Sequence, residues 1–569
     1  MKKEVRLLKL ALSYKRQILT LFFLSLFSAS FGLFIPYISK LFIDKAFINK
    51  NAHNFIKLSI VSAVLFLIST LMNLIANVVK NRISVRIKLD LASGFIKKIY
   101  LLDMAFFNFK AAGENIYRLS DTESVANFIV ERLPGIGLDL VKIPIILAIS
   151  LCINVHLTIV LLILSPLFLV HRVYLQKKLR SVYEENWRNR AKLFQEITES
   201  FSKILIIKAF ALESFQHRKY VKSLVENIRS LIKSFRWSTI NTLSASFLSK
   251  GILGLVTIYG GWMIIKGQLT LGSYTAVMIY LVQIGALLES LGTRIAYLSN
   301  ERVSIDKFYE IMDIAPRIKD KPNAIELEQI KGTINFKEVT FGYENDKAIF
   351  ENLNLEIPAG SWVGVVGLSG SGKTTLMNLI LRLYEPTFGD VQLDGVSIKD
   401  IKLKSLRSNI GIATQQPLLF DLSVKENIRY GLKSLSDTQI IEAGKIACID
   451  DYITGLPQGY ESFIGEDACR LSQGQKQRIS IARAVARNPR VLILDEASSS
   501  VDAYTEERIF ENLRAKRQGL GTIIISQRLS SVKDADKIYF FVKGMAIHGK
   551  HEELLHRSQD YRDFFQNQL

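Results

Sequence analysis

Val363-Gly364-Val365-Val366-Gly367-Leu368-Ser369-Gly370-Ser371-Gly372-Lys373-Thr374 runs an apolar, β-rich stretch straight into a glycine-rich loop. From Gly367 onward it matches GxxxxGK[ST], and a helical stretch, Leu376 to Leu383, follows. Strand, loop and helix in that order give the pattern its meaning. Glycines let consecutive backbone N–H groups turn inward around phosphate oxygens, so Gly367, Ser369, Gly370, Ser371 and Gly372 are the candidate cradle. Lys373 offers a point charge for β and γ oxygens, and the Thr374 hydroxyl, with Thr375 beside it, is available to Mg²⁺.

Toward the C-terminus, Arg490-Val491-Leu492-Ile493-Leu494-Asp495-Glu496 is a hydrophobic strand that ends in adjacent carboxylates. Successive side chains of a strand point to opposite faces, which separates the two tasks. Asp495 is placed to bind Mg²⁺, directly or through water, and Glu496 to polarise an attacking water as general base. INFKEVTF from Ile334, WVGVVG from Trp362, RVLILD from Arg490 and TIIIS from Thr522 are β-rich and alternate with helical runs. That alternation predicts an α/β P-loop domain.

Toward the N-terminus the chemistry of the chain changes. Hydropathy falls after about Arg302, and Ala315–Lys331 carries two prolines among many charges, which reads as a linker. The expected division is a membrane domain over 1–314, a linker over 315–331 and a nucleotide-binding domain over 332–569. Gln17–Ser39 and Leu58–Val79 contain no charged residue, and each exceeds the roughly 20 residues a helix needs to cross hydrocarbon. Ile143–Val170 is too long for one crossing. Asn154 and His156 near its middle predict a short turn between two helices, the first beginning near Leu133. Spans five and six are expected over Leu243–Ile265 and Gly267–Leu288, making six in all.

Lys2, Lys3, Arg6, Lys9, Lys15 and Arg16 precede span one, and Lys80, Arg82, Arg86 and Lys88 follow span two. Cations mark the cytoplasmic flank, so both ends face inward. Lys80–Arg132 and Arg172–Trp237 keep apolar residues at helical spacing (Leu89, Leu91, Phe95, Ile96 and Ile99) and read as cytosolic helical extensions. Asp139, Lys142, Lys250, Glu289 and Arg294 fall in or beside apolar runs. Charges there are costly unless paired, wetted or snorkelling, and which of them touches cargo is left open.

Composition agrees with two unlike portions. The 569 residues are 49% hydrophobic yet 22% charged, and 73 Lys and Arg against 53 Asp and Glu give a net charge of +20. Such a balance fits nucleic-acid binding or membrane flanks, and the uncharged spans favour the second. Cys152, Cys448 and Cys469 lack metal-ligand or CxxC spacing, which argues against a zinc site or a disulfide framework.

Leu471-Ser472-Gln473-Gly474-Gln475, followed by Lys476-Gln477-Arg478, resembles the LSGGQ signature of ATP-binding cassette (ABC) proteins. Six spans followed by one cassette resemble an ABC exporter half-transporter of the multidrug, lipid or peptide type over essentially the whole chain. FFNFKAAGENIYRLSDTESV resembles that family's first cytosolic turn and KAFALESFQHRKY its second. The resemblance implies that Tyr343 stacks on adenine and that Gln415, in competition with Gln416, reaches Mg²⁺ and senses the membrane domain. It implies that Ser462 to Glu466 touches the cytosolic turns and that Ser499-Ser500-Val501-Asp502 links two active sites through Asp502. Ser472 and the Gly474 backbone are then expected to meet the γ-phosphate of ATP held by another chain's P-loop, with Gln475 beside them among the nucleotide-binding residues. Each chain holds half of each site, so a second half-transporter chain, identical or related, is implied, with no nucleic acid. The implied setting is the cytoplasmic membrane of the cell, with the cassette and both termini in the cytoplasm, exporting a small molecule, lipid or peptide at the expense of ATP.

Two positions depart from the family pattern. Ser526-Gln527-Arg528-Leu529-Ser530 stands where the family reads roughly A-H-R-L-S. Gln527 keeps a donor for the γ-phosphate but has no proton that titrates near neutral pH, which predicts slower hydrolysis. Gln473 replaces the signature's middle glycine while Ser472 and Gly474 remain. The alternative reading that Gln527 raises is an ATP-binding regulatory or slow-site subunit of a heterodimeric exporter.

Overall fold

This computed structural model describes residues 12–109, 112–327, 330–343, 348–432, 434–465, 471–542 and 545–566. The chain divides into two compact units between Ala315 and Pro316. Cys469 and Glu466 lie outside the described residues, as do 110 and 111 of the first expected turn and the side chain of Glu289.

The first unit is built on six long helices: α1 (Lys15–Leu41), α2 (Ala52–Tyr100), α3 (Leu133–Ile153), α4 (Val155–Ser202), α5 (Glu213–Ile265) and α6 (Leu271–Met312). Asn51 starts α2 by accepting the Asn54 N–H at 3.1 Å. Asn154 divides the long apolar run as expected: it ends α3 in an extended conformation and caps α4 by accepting the Leu157 N–H at 3.0 Å. A cap of this kind is worth about 1 kcal/mol. The expected start of the sixth span at Gly267 is corrected to Leu271. Gly267, at φ +72°, makes the turn out of α5, and Thr270 caps α6 through the Ser273 N–H.

At 1.5 Å per residue the 49 residues of α2 reach about 75 Å. That is more than twice the roughly 30 Å of hydrocarbon, so the helices continue well past a bilayer. In the extension Leu91 and Phe95 are buried, Phe95 stacking on Phe308 of α6 at 5.5 Å, whereas Leu89 points outward. Among the described residues five helices are long and apolar enough to span: Lys15–Phe47, Ala52–Tyr100, Arg118–Ile153, Glu213–Ile265 and Leu271–Ile295. The remaining expected span falls on α4, where the side chains at 161 and 164–169 are outside the description.

The second unit carries two sheets. Strands β1 (Ile334–Phe341), β2 (Phe350–Ile357), β3 (Trp362–Gly367), β4 (Phe388–Leu393), β5 (Val396–Ser397), β6 (Ile410–Ala413), β7 (Val491–Asp495), β8 (Gly521–Ile525), β9 (Lys537–Val542) and β10 (Met545–Gly549) follow in chain order. An antiparallel sheet runs β2-β1-β4-β5, and a larger one runs β10-β9-β3-β8-β7-β6. In the larger sheet β6, β7, β8, β3 and β9 are parallel and only β10 opposes its neighbour. β3 and β8 are buried at every residue, as parallel strands covered on both faces must be. The carboxyl ends of β3, β8, β7 and β6 lie side by side, Val365 opposite Ile525 and Ile525 opposite Asp495. Ligands of open α/β sheets bind along that edge. Helices α7 (Lys373–Ile380), α8 (Gln473–Ala486) and α9 (Ala503–Lys516) flank it. The proline-bearing segment after Ala315 lies along the second unit: Asp320 accepts the Leu403 N–H at 2.8 Å and Lys321 pairs with Asp400 at 2.6 Å.

Candidate nucleotide site

The loop between β3 and α7 takes the conformation its glycines permit. Gly370 and Gly372 sit at φ +79° and +100°, the left-handed region costly for side-chain-bearing residues. A Cβ on Gly372 would also lie 2.5 Å from the Phe350 ring. Gly372 starts α7, whose first N–H groups and positive dipole end face the loop. Lys373 is buried, its Nζ donating to the Gly367 and Leu368 carbonyls at 2.7 and 2.9 Å. Burial pushes its pKa down, opposed by the Glu496 and Asp495 carboxylates. Ser371 Oγ is buried with no hydrogen-bond partner among the described residues. A buried cation and an orphaned hydroxyl around a glycine turn at a helix N-terminus fit a phosphate chain. Thr374 is exposed at the start of α7. Thr375 is buried, its hydroxyl 3.3 Å from the Tyr343 hydroxyl, which also accepts from Asn378 Nδ2 at 3.0 Å. The Tyr343 ring packs edge-on against Tyr384 at 4.9 Å, beside the loop.

The other groups gather on Glu496. This residue follows β7 at φ +46°, its N–H donating to the Ile525 carbonyl at 2.8 Å. Two amides hold its carboxylate: Gln415 Nε2, after β6, donates to one oxygen at 2.5 Å, and Gln527 Nε2, after β8, to the other at 2.8 Å. Gln415 rather than Gln416 therefore reaches the acid, while Gln416 accepts the Thr414 hydroxyl through its carbonyl. The pKa of Asp495 is raised to about 6, chiefly by burial and then by the Glu496 charge, with Lys373 pulling it back. Among the described residues no group of three or more His, Cys, Asp or Glu is placed to hold a metal. A hydroxyl, an amide oxygen and one carboxylate are hard oxygen donors of the kind Mg²⁺ shares with phosphate, so Thr374, Gln415 and Asp495 fit that ion without such a cluster.

Ser472 caps α8 in a reciprocal box, accepting the Gln475 N–H at 3.3 Å while Gln475 Oε1 accepts the Ser472 N–H at 2.8 Å. Asp502 caps α9, accepting the Thr505 N–H at 2.9 Å, and that bond lowers its pKa. Ser472 and Gln473 are exposed and Gly474 half-buried. The described residues thus join Lys373, Glu496, Gln415 and Gln527 at one strand edge.

Comparison with known proteins agrees at both ends of the chain. The ABC transporter transmembrane region matches residues 18–288 and the ABC transporter domain matches 350–499. An ATP-dependent lipid A-core flippase of Syntrophus aciditrophicus is 32% identical over 99% of this chain and 94% of its own. The chain belongs to the ABC transporter family. YgaD of Bacillus subtilis, provisionally named a multidrug export ATP-binding/permease protein, is 32% identical over 84% of this chain and 83% of its own. A solved bacterial Atm1-family ABC exporter with ATP bound is 25% identical, covers 98% of both chains and superposes with a TM-score of 0.91. ATP-driven export by an ABC half-transporter, with ATP hydrolysed in the cassette, is what the matched regions and these relatives support together.

Within this ABC transporter the structure adds residues that motif reading passed over. Gln477, buried on α8, donates to the Gln415 carbonyl at 3.2 Å and to Ser499 Oγ at 3.0 Å, and its Oε1 accepts the Ser500 N–H at 2.8 Å. One amide thus ties the signature helix to the Gln415 loop and to the turn before Asp502. Arg528, next to Gln527, donates to the Ser499 carbonyl at 2.6 Å and pairs with buried Glu506 at 3.3 Å. Only Gln477 left a trace in sequence, as a polar residue on the face of α8 that also carries Ile481 and Ala484.

Proposed function

We propose that two half-transporter chains, this one twice or with a related partner, close around two ATP molecules and so drive a cargo out across the cytoplasmic membrane. The loop from Gly367 to Thr375 takes the phosphates, Lys373 neutralises the β and γ oxygens, and Tyr343 takes the adenine face. Thr374, Gln415 and Asp495 would hold Mg²⁺, which when bound would supply charge neutralisation on the phosphates. Glu496 accepts a proton from water as that water's oxygen attacks the γ-phosphorus and the bond to the β-phosphate oxygen breaks. Gln415 and Gln527 orient the carboxylate for this task. Ser472, Gly474 and Gln475 serve the ATP of the other chain, and Asp502 meets that chain across the closed pair. The termini and the cassette lie in the cytoplasm, and the domains divide at 1–314, 315–331 and 332–569.

The observation that carries this reading is Glu496, fixed by two amides at the carboxyl edge of the sheet, where the loop after β3 holds Lys373 at the start of α7. Full-length protein reconstituted in lipid should turn over Mg-ATP, and Glu496→Gln should lower that rate at least ~100-fold, the usual scale for losing a general base. Nucleotide binding should persist in the variant. Turnover within a few-fold of the parent chain would overturn the assignment. Gln527 supports a second reading, in which this chain is the slow-site member of a heterodimer; a partner chain that raises turnover manyfold would select it.

A further inference from the structure

A cavity of about 660 Å³ opens between α1, α2, α3 and α6 of the first unit. Its size falls within the ~300–1,000 Å³ usual for small-molecule sites. Its walls are of two kinds: Leu33, Leu138 and Leu287 are apolar, whereas Asn73, Asn77 and Gln283 offer amides. Such a lining suits an amphiphile.

Charge narrows the class further. Three cations reach the cavity: Lys80, Lys142 and Arg294. Lys80 is matched by Glu131 at 2.7 Å. Arg294 is matched by Asp139, Nε to Oδ2 at 3.1 Å, and its Nη1 donates to the Glu131 carbonyl at 3.1 Å. Gly135 makes this crossing possible, because a Cβ there would lie 2.0 Å from Nη1. Lys142 stands one turn along α3 from Asp139, whose carboxylate is taken by Arg294 and Ser290. No carboxylate lies within 4.0 Å of the Lys142 ammonium among the described residues, and that residue is half-buried. Among the described residues the cavity is therefore served by three cations and two carboxylates, Glu131 and Asp139, and Lys142 feels Asp139 only at longer range because that carboxylate pairs directly with Arg294. An unmatched charge inside a membrane bundle is costly, and a bound anion relieves it. An organic cation would add to the excess.

We propose that this cavity takes an amphiphile bearing a single negative charge. Lys142 meets the anionic head, the amides of Asn73, Asn77 and Gln283 bind the polar groups beside it, and the leucine walls hold the chain. This names the cargo class of the export reading above and rests on it. The claim is tested with the full chain in discs of phosphatidylcholine, using a dansyl-labelled undecanoate and its methyl ester as probes and subtracting empty discs. The acid should bind at least ~10-fold more tightly than the ester, the scale of one favourable charge contact. Lys142→Met should bring the two affinities together, Lys142→Arg should keep the preference, and Lys250→Met, outside the cavity lining, should leave it as in the parent chain. Equal affinities of the parent chain for acid and ester overturn the proposal without recourse to any variant, as does a preference that survives Lys142→Met. Replacing part of the phosphatidylcholine by phosphatidylglycerol displaces the probe if a bilayer lipid is the natural occupant and spares it if a soluble acid is; both results support an anion site. Mg-ATP turnover in the same discs separates the two claims. Turnover without acid preference sinks the cargo class alone, and absence of turnover sinks export by a pair of identical chains whatever the probe does.

Discussion

Gln527 stands against the Glu496 carboxylate at the carboxyl edge of the larger sheet. Its amide holds one Glu496 oxygen at 2.8 Å while Gln415 holds the other. An amide can position a carboxylate, but it neither stores nor passes a proton in the physiological range. An imidazole does both, with an ordinary pKa near 6.5. Gln527→His should therefore raise the turnover number about tenfold with little change in the KM for ATP. It should also add a limb to the pH–rate profile near neutrality that the parent chain lacks. An unchanged rate and profile would mean that Gln527 only orients Glu496 and that proton movement is not limiting. The substitution at Gln473 weighs less, because that side chain is exposed while Ser472 and Gly474 beside it are retained. Much of the site was legible at this scale. Lys373, Asp495 and Glu496 stand at fixed offsets from strand ends, and strand ends are marked by composition. Glu506 and Arg528 were not legible, and Gln477 only as a polar residue on a buried face of α8, because their roles consist of bonds between segments far apart in the chain, such as Gln477 to Gln415 and Arg528 to Ser499.

Among the elements, α8 shows how closely packing and chemistry are joined. Gly474 lies in its first turn, and a Cβ there would come within 2.7 Å of the Ser500 carbonyl oxygen. Replacing a helical glycine by alanine ordinarily gains up to about 1 kcal/mol of helix propensity. Overpacking against a backbone atom costs ~1–3 kcal/mol, so the clash wins. Gly474→Ala should lower the Tm of the full chain by a few degrees and reduce ATP turnover, because α8 must shift away from the turn that Gln477 also holds. Gln473→Gly, one residue earlier, should leave ATP turnover within about twofold. A Gly474→Ala chain as stable and active as its parent would show that the α8 contact with that turn is slack. The elements themselves were readable wherever one local rule dominates: uninterrupted apolar runs gave the spans, and Asn154 gave the break within one of them. The start of α6 was misplaced because Gly267 and Gln268 are as uncharged as the span that follows. Hydropathy does not register that the chain turns there at φ +72° before Thr270 caps the helix.

In the molecule as a whole, the phosphate cradle and the signature helix of one chain need not serve the same nucleotide. Lys373 and Glu496 meet at one edge of the sheet, whereas Ser472 is exposed at the tip of α8, where its hydroxyl accepts the Gln475 N–H of its own cap. If Ser472 serves the nucleotide of a second chain, damage to Lys373 and damage to Ser472 must complement each other between chains. Lys373→Ala and Ser472→Ala should each abolish most turnover as separate preparations. Dimers formed from one chain of each kind pair the intact P-loop of the second with the intact signature of the first, at one of two sites. With random pairing half the dimers are mixed, so co-reconstitution should restore turnover to about a quarter of the parent level, a consequence of two-fold symmetry alone. Mixing the chains after each has been locked in separate discs should restore nothing. If co-reconstitution also restores nothing, the phosphate cradle and the serine-capped helix serve ATP within one chain, and closure of a pair is not what moves the bundle.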